Sequence, residues 1–413
     1  MSSNKNIPQL RFPEFAGEWE THPLSKFLFE HKKKSDGKCE VHSVSVSKGV
    51  INQVKYLGRS FAAADTSKYK LALPNDIIYT KSPTGDFPYG IVKMNKNPYN
   101  VIVSPLYAVY SPINKYIGYI LDSYFESPVN TNNYLSSLIQ KGAKNTINIS
   151  NDTFVSKSVC LPSEPSEQKK IAECLSAMDD MIEAQGQRVE ALKEKKKGLM
   201  QQMFPQKGET TPRLRFPEFA EEWKEVPLNE LADKVNKRNS KREISRVLTN
   251  SANSGVIDQS DYFDRNIAVK ENTGNYYIVD INDFVYNPRI STAAPVGPIS
   301  INKIGKGIMS PLYTIFKFHK GYIPFYEQYF QTTIWHQYLK SIANFGARFD
   351  RMNISTEGFF NMPLLMPEPS EQKKIAECLS AMDDTIASET AKLDALKEHK
   401  KGLMQQMFPQ PTK

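Results

Sequence analysis

Ser166-Glu-Gln-Lys-Lys-Ile-Ala-Glu-Cys-Leu-Ser-Ala-Met-Asp-Asp180 occurs twice in this 413-residue chain, returning letter for letter as Ser370 to Asp384. Extended to 166–206 against 370–410, the two copies differ at 10 of 41 positions. In the first copy apolar residues step by four and three through Ile171, Leu175, Met178 and Ile182, then Val189, Leu192, Leu199 and Met203. The second reads Ile375, Leu379, Met382, Ile386, Leu393, Leu396, Leu403 and Met407. A 3.5-residue repeat held for about five heptads predicts a coiled coil, because it keeps one apolar seam facing a partner helix. Two seam positions in each copy are polar: Gln185 and Lys196 in one, Glu389 and Lys400 in the other. Such groups are costly when buried and suit an exposed two-helix rod. Pro165 and Pro369 exclude helix just before them, and Ser166 and Ser370 are the candidate N-caps. Phe204-Pro205 and Phe408-Pro409 end the helices. At 1.5 Å per residue, about 38 residues make a rod of roughly 57 Å. Each copy has a partner of matching length in the same chain, and connectivity alone leaves the direction of pairing open.

Outward from the helices the repetition continues unevenly. Arg11-Phe-Pro-Glu-Phe15 and Trp19 return as Arg215-Phe-Pro-Glu-Phe219 and Trp223. The two tryptophans read as packing anchors. Between box and helix lie two stretches that share only landmarks: Gly49-Val-Ile51 with Gly255-Val-Ile257, Asp76-Ile-Ile-Tyr79 with Asp283-Phe-Val-Tyr286, Ser104-Pro-Leu-Tyr107 with Ser310-Pro-Leu-Tyr313, and Asn148-Ile-Ser150 with Asn353-Ile-Ser355. Short β-rich runs at 76–80, 101–110 and 278–286 predict strands, and helices are expected near 118–137 and 322–341. The fold class is therefore α+β: two domains of one fold, 1–160 and 207–365, alternating with a central helix, 161–206, and a C-terminal helix, 366–413.

Composition bounds the function. Charged residues make up 24% and hydrophobic residues 40%, which are globular values. No window approaches 18 apolar residues, and Met1-Ser-Ser-Asn-Lys-Asn6 has no apolar signal core, so a cytoplasmic protein away from membranes is expected. The four cysteines form no Cys-x-x-Cys pair, and two of them, Cys174 and Cys378, are repeat equivalents; structural, reduced thiols follow. Net charge is +8, and the excess lies on 1–165 and 207–369 while the helices are close to neutral. That placement points to a polyanion as partner.

After each Asp-x-x-Tyr run comes a Pro- and Gly-rich loop, Lys81-Ser-Pro-Thr-Gly-Asp-Phe-Pro-Tyr-Gly90 in one domain and Asn287-Pro-Arg-Ile-Ser-Thr-Ala-Ala-Pro-Val-Gly297 in the other. Lys81, Ser82 and Thr84, and Arg289, Ser291 and Thr292, are the candidate DNA contacts, since cations and hydroxyls of this kind meet phosphates and base edges. A second candidate pair of segments carries Lys141 and Lys144 in one domain and Arg348 and Arg351 in the other.

Catalytic signatures are missing. No Asn/Asp-Pro-Pro-Tyr/Phe, no Gly-rich methyl-donor turn, no phosphate loop and no Pro-Asp dipeptide occurs, and the six histidines form no ligand cluster. Neither a catalytic nor a metal-binding residue is expected in the chain. An enzyme with an unrecognised duplicated site, or a coiled-coil scaffold that binds proteins only, are the alternatives to a DNA reader.

The order of variable domain, repeated helix, variable domain, repeated helix resembles the specificity subunit of type I restriction–modification systems. Leu10-Arg-Phe-Pro-Glu-Phe15 with Trp19, its copy at 214–219 with Trp223, and Pro-Ser-Glu-Gln-Lys-Lys-Ile-Ala at 165–172 and 369–376 carry the likeness over essentially the whole chain. The resemblance implies two target recognition domains, each reading half of a split double-stranded DNA site, on an antiparallel coiled coil. It implies that the seam residues Ile171, Leu175, Met178, Ile182, Leu192, Leu199, Ile375, Leu379, Met382, Ile386, Leu396 and Leu403 form the coiled coil and docking surface for two modification subunits, which two restriction subunits join. S-adenosylmethionine, ATP and Mg2+ would then be used by those partners and not by this chain.

Overall fold

A computed structural model describes residues 6–35, 37–141, 147–262, 270–344 and 350–409. The chain folds as two compact units, one of residues 1–186 with 391–413 and the other of residues 187–390. Each unit takes part of each long helix, Pro165–Met203 and Pro369–Met407.

The two units repeat one topology. In the first, a four-stranded antiparallel sheet has the order Leu28–Glu30, Ala108–Pro112, Ile77–Tyr79, Val92–Met94. In the second, the order is Ala232–Lys234, Thr314–Phe318, Phe284–Tyr286, Ile299–Ile301. Successive strand side chains point to opposite faces, and this divides each sheet between two cores. Ile77 and Tyr79 pack with the helices and Ile78 with a smaller cluster around Val50, Val101 and Val109. Phe284 and Tyr286 divide from Val285 in the same way. Burial on both faces is why these strands read as unbroken apolar runs.

Several sequence expectations divide into finer pieces. The run at 101–110 is two strands in different sheets, Val101–Val103 and Ala108–Pro112. Between them Ser104-Pro-Leu-Tyr107 closes a turn in which Tyr107 N donates to Ser104 O at 3.1 Å, proline being favoured at the second turn position. The run at 278–286 splits likewise into Tyr277–Val279 and Phe284–Tyr286 around a turn with Asn282 at φ 69°. The helix expected at 118–137 is two, Lys115–Glu126 and Pro128–Ser136, because Ser127 caps the second through Asn130 N and Pro128 opens it. The one expected at 322–341 is Ile323–Phe330 and His336–Ile342. The long helices also begin one residue earlier than expected. Pro165 and Pro369 are inside them, since proline at the first helical position forfeits only an amide that has no partner there. Ser166 and Ser370 are therefore not the N-caps.

Within the first unit, Leu175 packs in one core with Met407, Asp179 Oδ1 meets Lys400 Nζ at 2.6 Å, and Gln185 lines a groove with Lys392 and Leu396. Numbers fall on one helix as they rise on the other, so these segments run antiparallel. In the second unit Arg188 meets Glu389 at 3.2 Å and Lys196 meets Asp383 at 2.6 Å, again antiparallel. Ile171, Leu175, Ile375 and Leu379 are buried in the cores of their own units. Met178, Ile182, Leu192, Leu199, Met382, Ile386, Leu396 and Leu403 are half-buried.

The seam lysines do not lie in an exposed rod, contrary to expectation. Lys196 and Lys400 are buried, and each is fully partnered. Lys400 Nζ bonds Asp179 and Glu126 Oε2, the latter at 2.7 Å at the end of helix Lys115–Glu126. Lys196 Nζ bonds both Asp383 oxygens and Gln331 Oε1, the equivalent position at the end of helix Ile323–Phe330. Each lysine thus joins two long-helix segments and one domain helix. In the first unit the network extends to Lys96, which meets Asp122 at 2.9 Å and Asp179 at 3.0 Å.

At the head of each long helix sits a buried carboxylate. Glu167 accepts two bonds from Arg11, at 2.7 and 2.8 Å, and one from Trp19 Nε1 at 3.1 Å. Glu371 accepts two from Arg215 at the same lengths. Leu10 N donates to Gln406 O and Leu214 N to Gln202 O, so each repeated box holds the head of one helix and the tail of the other. Both tryptophans are buried, as expected of anchors.

Removing one partner of a buried pair strands the other charge. Glu371→Ala is therefore expected to cost about 3–5 kcal/mol in urea unfolding, while replacing Arg215 and Glu371 together with methionine and leucine costs far less. Equal losses for the single and double variants would show that the pair does not govern the cost.

Burial raises the Asp179 carboxyl pKa, but Lys96 and then Lys400 outweigh it and hold it below the ordinary 3.8. Burial lowers Lys400, yet Glu126 and Asp179 hold it above 10.5. A depressed carboxylate contributes stability above its unfolded pKa and loses it as pH falls through the folded one; the raised lysine contributes below 10.5 and is lost only at higher pH. Lys400→Met should therefore lower stability near neutrality and flatten its fall between about pH 5 and pH 2. Parallel stability–pH curves for parent and variant would remove the coupling.

Candidate nucleic-acid interface

The two Pro- and Gly-rich loops share one backbone. Thr84 and Phe87 exchange both amide bonds at 3.0 Å, and Ser291 and Ala294 do the same at 3.0 and 3.2 Å. Gly90 N then donates to Phe87 O and Gly297 N to Ala294 O. Gly90 and Gly297 have φ of 99° and 79°, and a Cβ there would lie 2.1 Å from Thr80 O and 2.0 Å from Asn287 O. Only glycine fits both the conformation and the space. The tyrosine of each Asp-x-x-Tyr run pins the far end: Tyr79 Oη donates to Tyr89 O and Tyr286 Oη to Val296 O, at 2.9 and 3.0 Å. Burial pushes both phenols up, so they remain protonated donors. The aspartate shapes the turn before the strand, Asp76 accepting from Leu73 N and Asp283 from Asp280 N.

On this frame Lys81, Ser82, Thr84, Arg289, Ser291 and Thr292 are all exposed. Matching the loops by charge would set Lys81 against Arg289. The shared bonds align Thr84 with Ser291 and Ser82 with Arg289, so Lys81 stands opposite Pro288 and not opposite the arginine. The second candidate segment lies beside the first in the second unit. Ile290 N donates to Asp350 O and Met352 N to Pro288 O, both at 3.0 Å, and Arg289 faces Arg351 across this short ladder. Asp350 lies between the two guanidinium groups, 3.8 Å from Arg289 and 3.9 Å from Arg351. Two segments 60 residues apart in sequence thus form one surface. Lys144 and Arg348 lie outside the described residues, and Lys141 is described only as part of the strand Gln140–Lys141, paired with Ile147–Asn148.

A further basic strip was not singled out in the sequence. Lys32, Lys33 and Lys34 are exposed, and Leu71 N bonds Lys33 O at 3.0 Å. In the second unit Ile278 N bonds Lys237 O at 2.8 Å, and Lys237, Arg238, Lys241 and Arg242 are exposed at the equivalent place. Arg238 stacks 5.1 Å over Tyr277. Lys34 bridges Lys70 along the backbone, and desolvation, with the charge of Lys70 adding to it, lowers the Lys81 ammonium pKa against the pull of Glu30. The strip is therefore electrostatically continuous with the loop. Its signal was available as two basic runs in register, but charge runs at domain surfaces are common and these carry no turn signature. Among the described residues no group of three or more His, Cys, Asp or Glu side chains could hold a metal ion, and no helix is long and apolar enough to cross a membrane.

Two equivalent loop platforms, each with exposed cations beside it, stand on a repeated frame, so the chain is built as a pair of like domains with differing outer surfaces. The family model for the type I restriction modification DNA specificity domain matches residues 25–194 and 220–398, and the chain belongs to that family, with two specificity domains. The chain is 24% identical over 433 aligned positions to a protein assigned as the type I restriction enzyme MjaX specificity subunit of Methanocaldococcus jannaschii, covering 97% of this chain and 95% of that one. Its fold is similar to the crystal structure of the type I restriction–modification S subunit from M. genitalium, with TM-score 0.56, 13% identity, and coverage of 98% and 100%. A chain from a structure addressing complex assembly and conformational transition of the type I system matches with TM-score 0.50 and 15% identity over 94% and 97%.

The paired arginines generate a graded prediction. If Arg289 meets a guanine edge, Arg289→Ala should cost about 1–3 kcal/mol of DNA binding and relax one base position. If it meets phosphate, binding falls evenly across sequences and the salt slope drops by about one. Arg351→Ala should then follow Arg289→Ala in kind, because both share one ladder; parental binding by both variants would dismiss this surface.

Proposed function

We propose that the chain is a noncatalytic reader of a bipartite double-stranded DNA site, each recognition domain contacting one half. The observation that carries this is the duplicated loop: one backbone, held by the same tyrosine and glycine, presents Lys81, Ser82 and Thr84 in one domain and Arg289, Ser291 and Thr292 in the other. A frame kept constant while its outward side chains differ is suited to reading two different sequences. Arg351 belongs to the same proposed surface as Arg289, and Lys141, Lys144 and Arg348 are further proposed DNA contacts on the sequence alone. The long helices act as spacer and docking surface for two modification subunits, and through these for two restriction subunits, in the cytoplasm. Because the half-buried seam residues serve packing within the chain, partners would meet chiefly the exposed helix positions. S-adenosylmethionine, ATP and Mg2+ belong to the partners' chemistry.

Exchange of one domain tests the assignment. Replacing residues 1–160 with the corresponding domain of another specificity subunit, in a complex with the modification subunits, should change one half of the methylated motif. Mapping modified adenines across a genome reads this directly. A change in both halves would overturn the one-domain, one-half-site reading, and sequence-independent methylation by the parent complex would overturn DNA specificity itself.

A further inference from the structure

The first unit carries an apolar cluster that its own core does not use. Helix Gln53–Leu57, capped by Asn52 and ended by Gly58 at φ 74°, leads into a loop, and within residues 54–61 four large apolar side chains face solvent. Val54 is 52% exposed, Tyr56 44%, Leu57 45% and Phe61 59%. The segment is nonetheless tied in place. Gln53 Oε1 accepts from Phe61 N at 2.7 Å, which brings the loop back to the start of the helix, and Tyr56 Oη meets Ser45 Oγ at 3.2 Å. The Arg59 guanidinium lies 4.5 Å over the Phe61 ring.

The surroundings indicate what covers this cluster. Lys55, Arg59, Lys68 and Lys70 lie in the same stretch against a single acid, Asp65. The loop is also continuous with the basic strip: Ala63 N bonds Tyr69 Oη at 3.2 Å, Ser35 N bonds Tyr69 O at 2.9 Å, and Lys34 pairs with Lys70. Exposed apolar side chains interspersed with cations along one tied segment match a duplex, in which phosphates border stacked bases. A protein partner would be served as well by neutral neighbours.

We infer that Phe61 and Leu57 form an apolar wedge against the bases of the half-site read by the first domain, with Lys55, Arg59 and Lys68 on the flanking phosphates. This rests on the DNA-reading function proposed above and adds an element that neither loop platform supplies. Phe and Leu are side chains that enter a base step and unstack it, and the Arg59 stack holds the ring in place before DNA arrives.

The test uses the full-length chain with its modification subunits and duplex DNA carrying the methylated motif. Phe61→Ala should weaken binding roughly tenfold with the salt slope unchanged, as expected for a lost stacking contact, and Leu57→Ala should weaken it less, again with the slope unchanged. Arg59→Ala should lower that slope by about one. With 2-aminopurine placed in turn at each step of the half-site, fluorescence should rise on binding the parent complex and fail to rise with Phe61→Ala at one step. Since Phe61 is exposed, its variant should unfold at the parental temperature, which separates lost contact from lost fold. Parental affinity and an unchanged 2-aminopurine signal in Phe61→Ala would overturn the wedge while leaving DNA reading intact. So would retained DNA binding with lost assembly, which would make the cluster a docking face for a modification subunit. Absence of sequence-specific binding by the parent complex would overturn the underlying reading, and the wedge with it.

Discussion

A carboxylate with almost no access to water stands at the head of each long helix, and each unit closes around the ion pair it makes. Glu167 is 1% exposed and Glu371 0%. An isolated carboxylate at such a place would cost several kcal/mol, so its partner must be close and fixed. Arg11 and Arg215 supply that partner from 156 residues earlier in the chain. Their planar forks take both oxygens. The box that carries each arginine also bonds the tail of the other helix, through Leu10 in one unit and Leu214 in the other. One ion pair therefore closes a unit from three distant pieces of sequence. The copies are not identical in detail: Trp19 donates to Glu167, whereas the buried Trp223 Nε1 has no hydrogen-bond partner.

The lysine joints extend this closure to the recognition domains. Lys400 and Lys196 each hold a domain helix and two long-helix segments with one ammonium group. Three donors on a compact head suit a three-way joint better than a planar guanidinium does. The result separates two tasks. Residues that fix the frame point inward and are paired; Lys81, Ser82, Thr84, Arg289, Ser291 and Thr292 are exposed, while the loop backbone is held by Tyr79, Tyr286 and the two glycines. Changing an outward side chain leaves those bonds intact, which is how one frame carries two different surfaces.

The long helices, the repeated domains and the outward loops were legible because periodicity and repetition are local signals. The strands at 76–79 and 283–286 were legible because burial on both faces leaves an unbroken apolar run. What escaped depends on contacts distant in sequence. The lysines read as exposed because the seam alone does not reveal Asp179, Glu126 or Gln331 beside them. The box read as a packing anchor through its tryptophan, and nothing local links its arginine to a glutamate 156 residues further on. Arg289 and Arg351 read as alternatives, yet a short ladder places them side by side. Matching by charge alone sets Arg289 against Lys81, whereas the spacing from Asp-x-x-Tyr and the hydrogen-bond register both set it against Ser82.

That register carries a consequence for how the two domains differ. The cations around the first loop are lysines, Lys34, Lys70 and Lys81, with Glu30 near them. Around the second, arginines stand with lysines: Arg289 and Arg351 face each other across a ladder, and Arg242 and Arg238, the latter stacked on Tyr277, lie with Lys237 and Lys241 in the basic strip. Lysine acts as a strongly hydrated point charge, while arginine presents a rigid fork that pairs with two acceptors at once. Guanine offers such a pair in the major groove through O6 and N7, and phosphate accepts either cation. With DNA against both loops, the second surface has the chemistry for bidentate base contacts. The first, with hydroxyls at Ser82 and Thr84 beside its lysine, has the chemistry for phosphate anchoring and single hydrogen bonds. The apolar wedge at Leu57 and Phe61 lies on that same lysine-bearing domain, so the side with less fork chemistry is the side with a separate means of sensing bases, through stacking and deformability of the duplex.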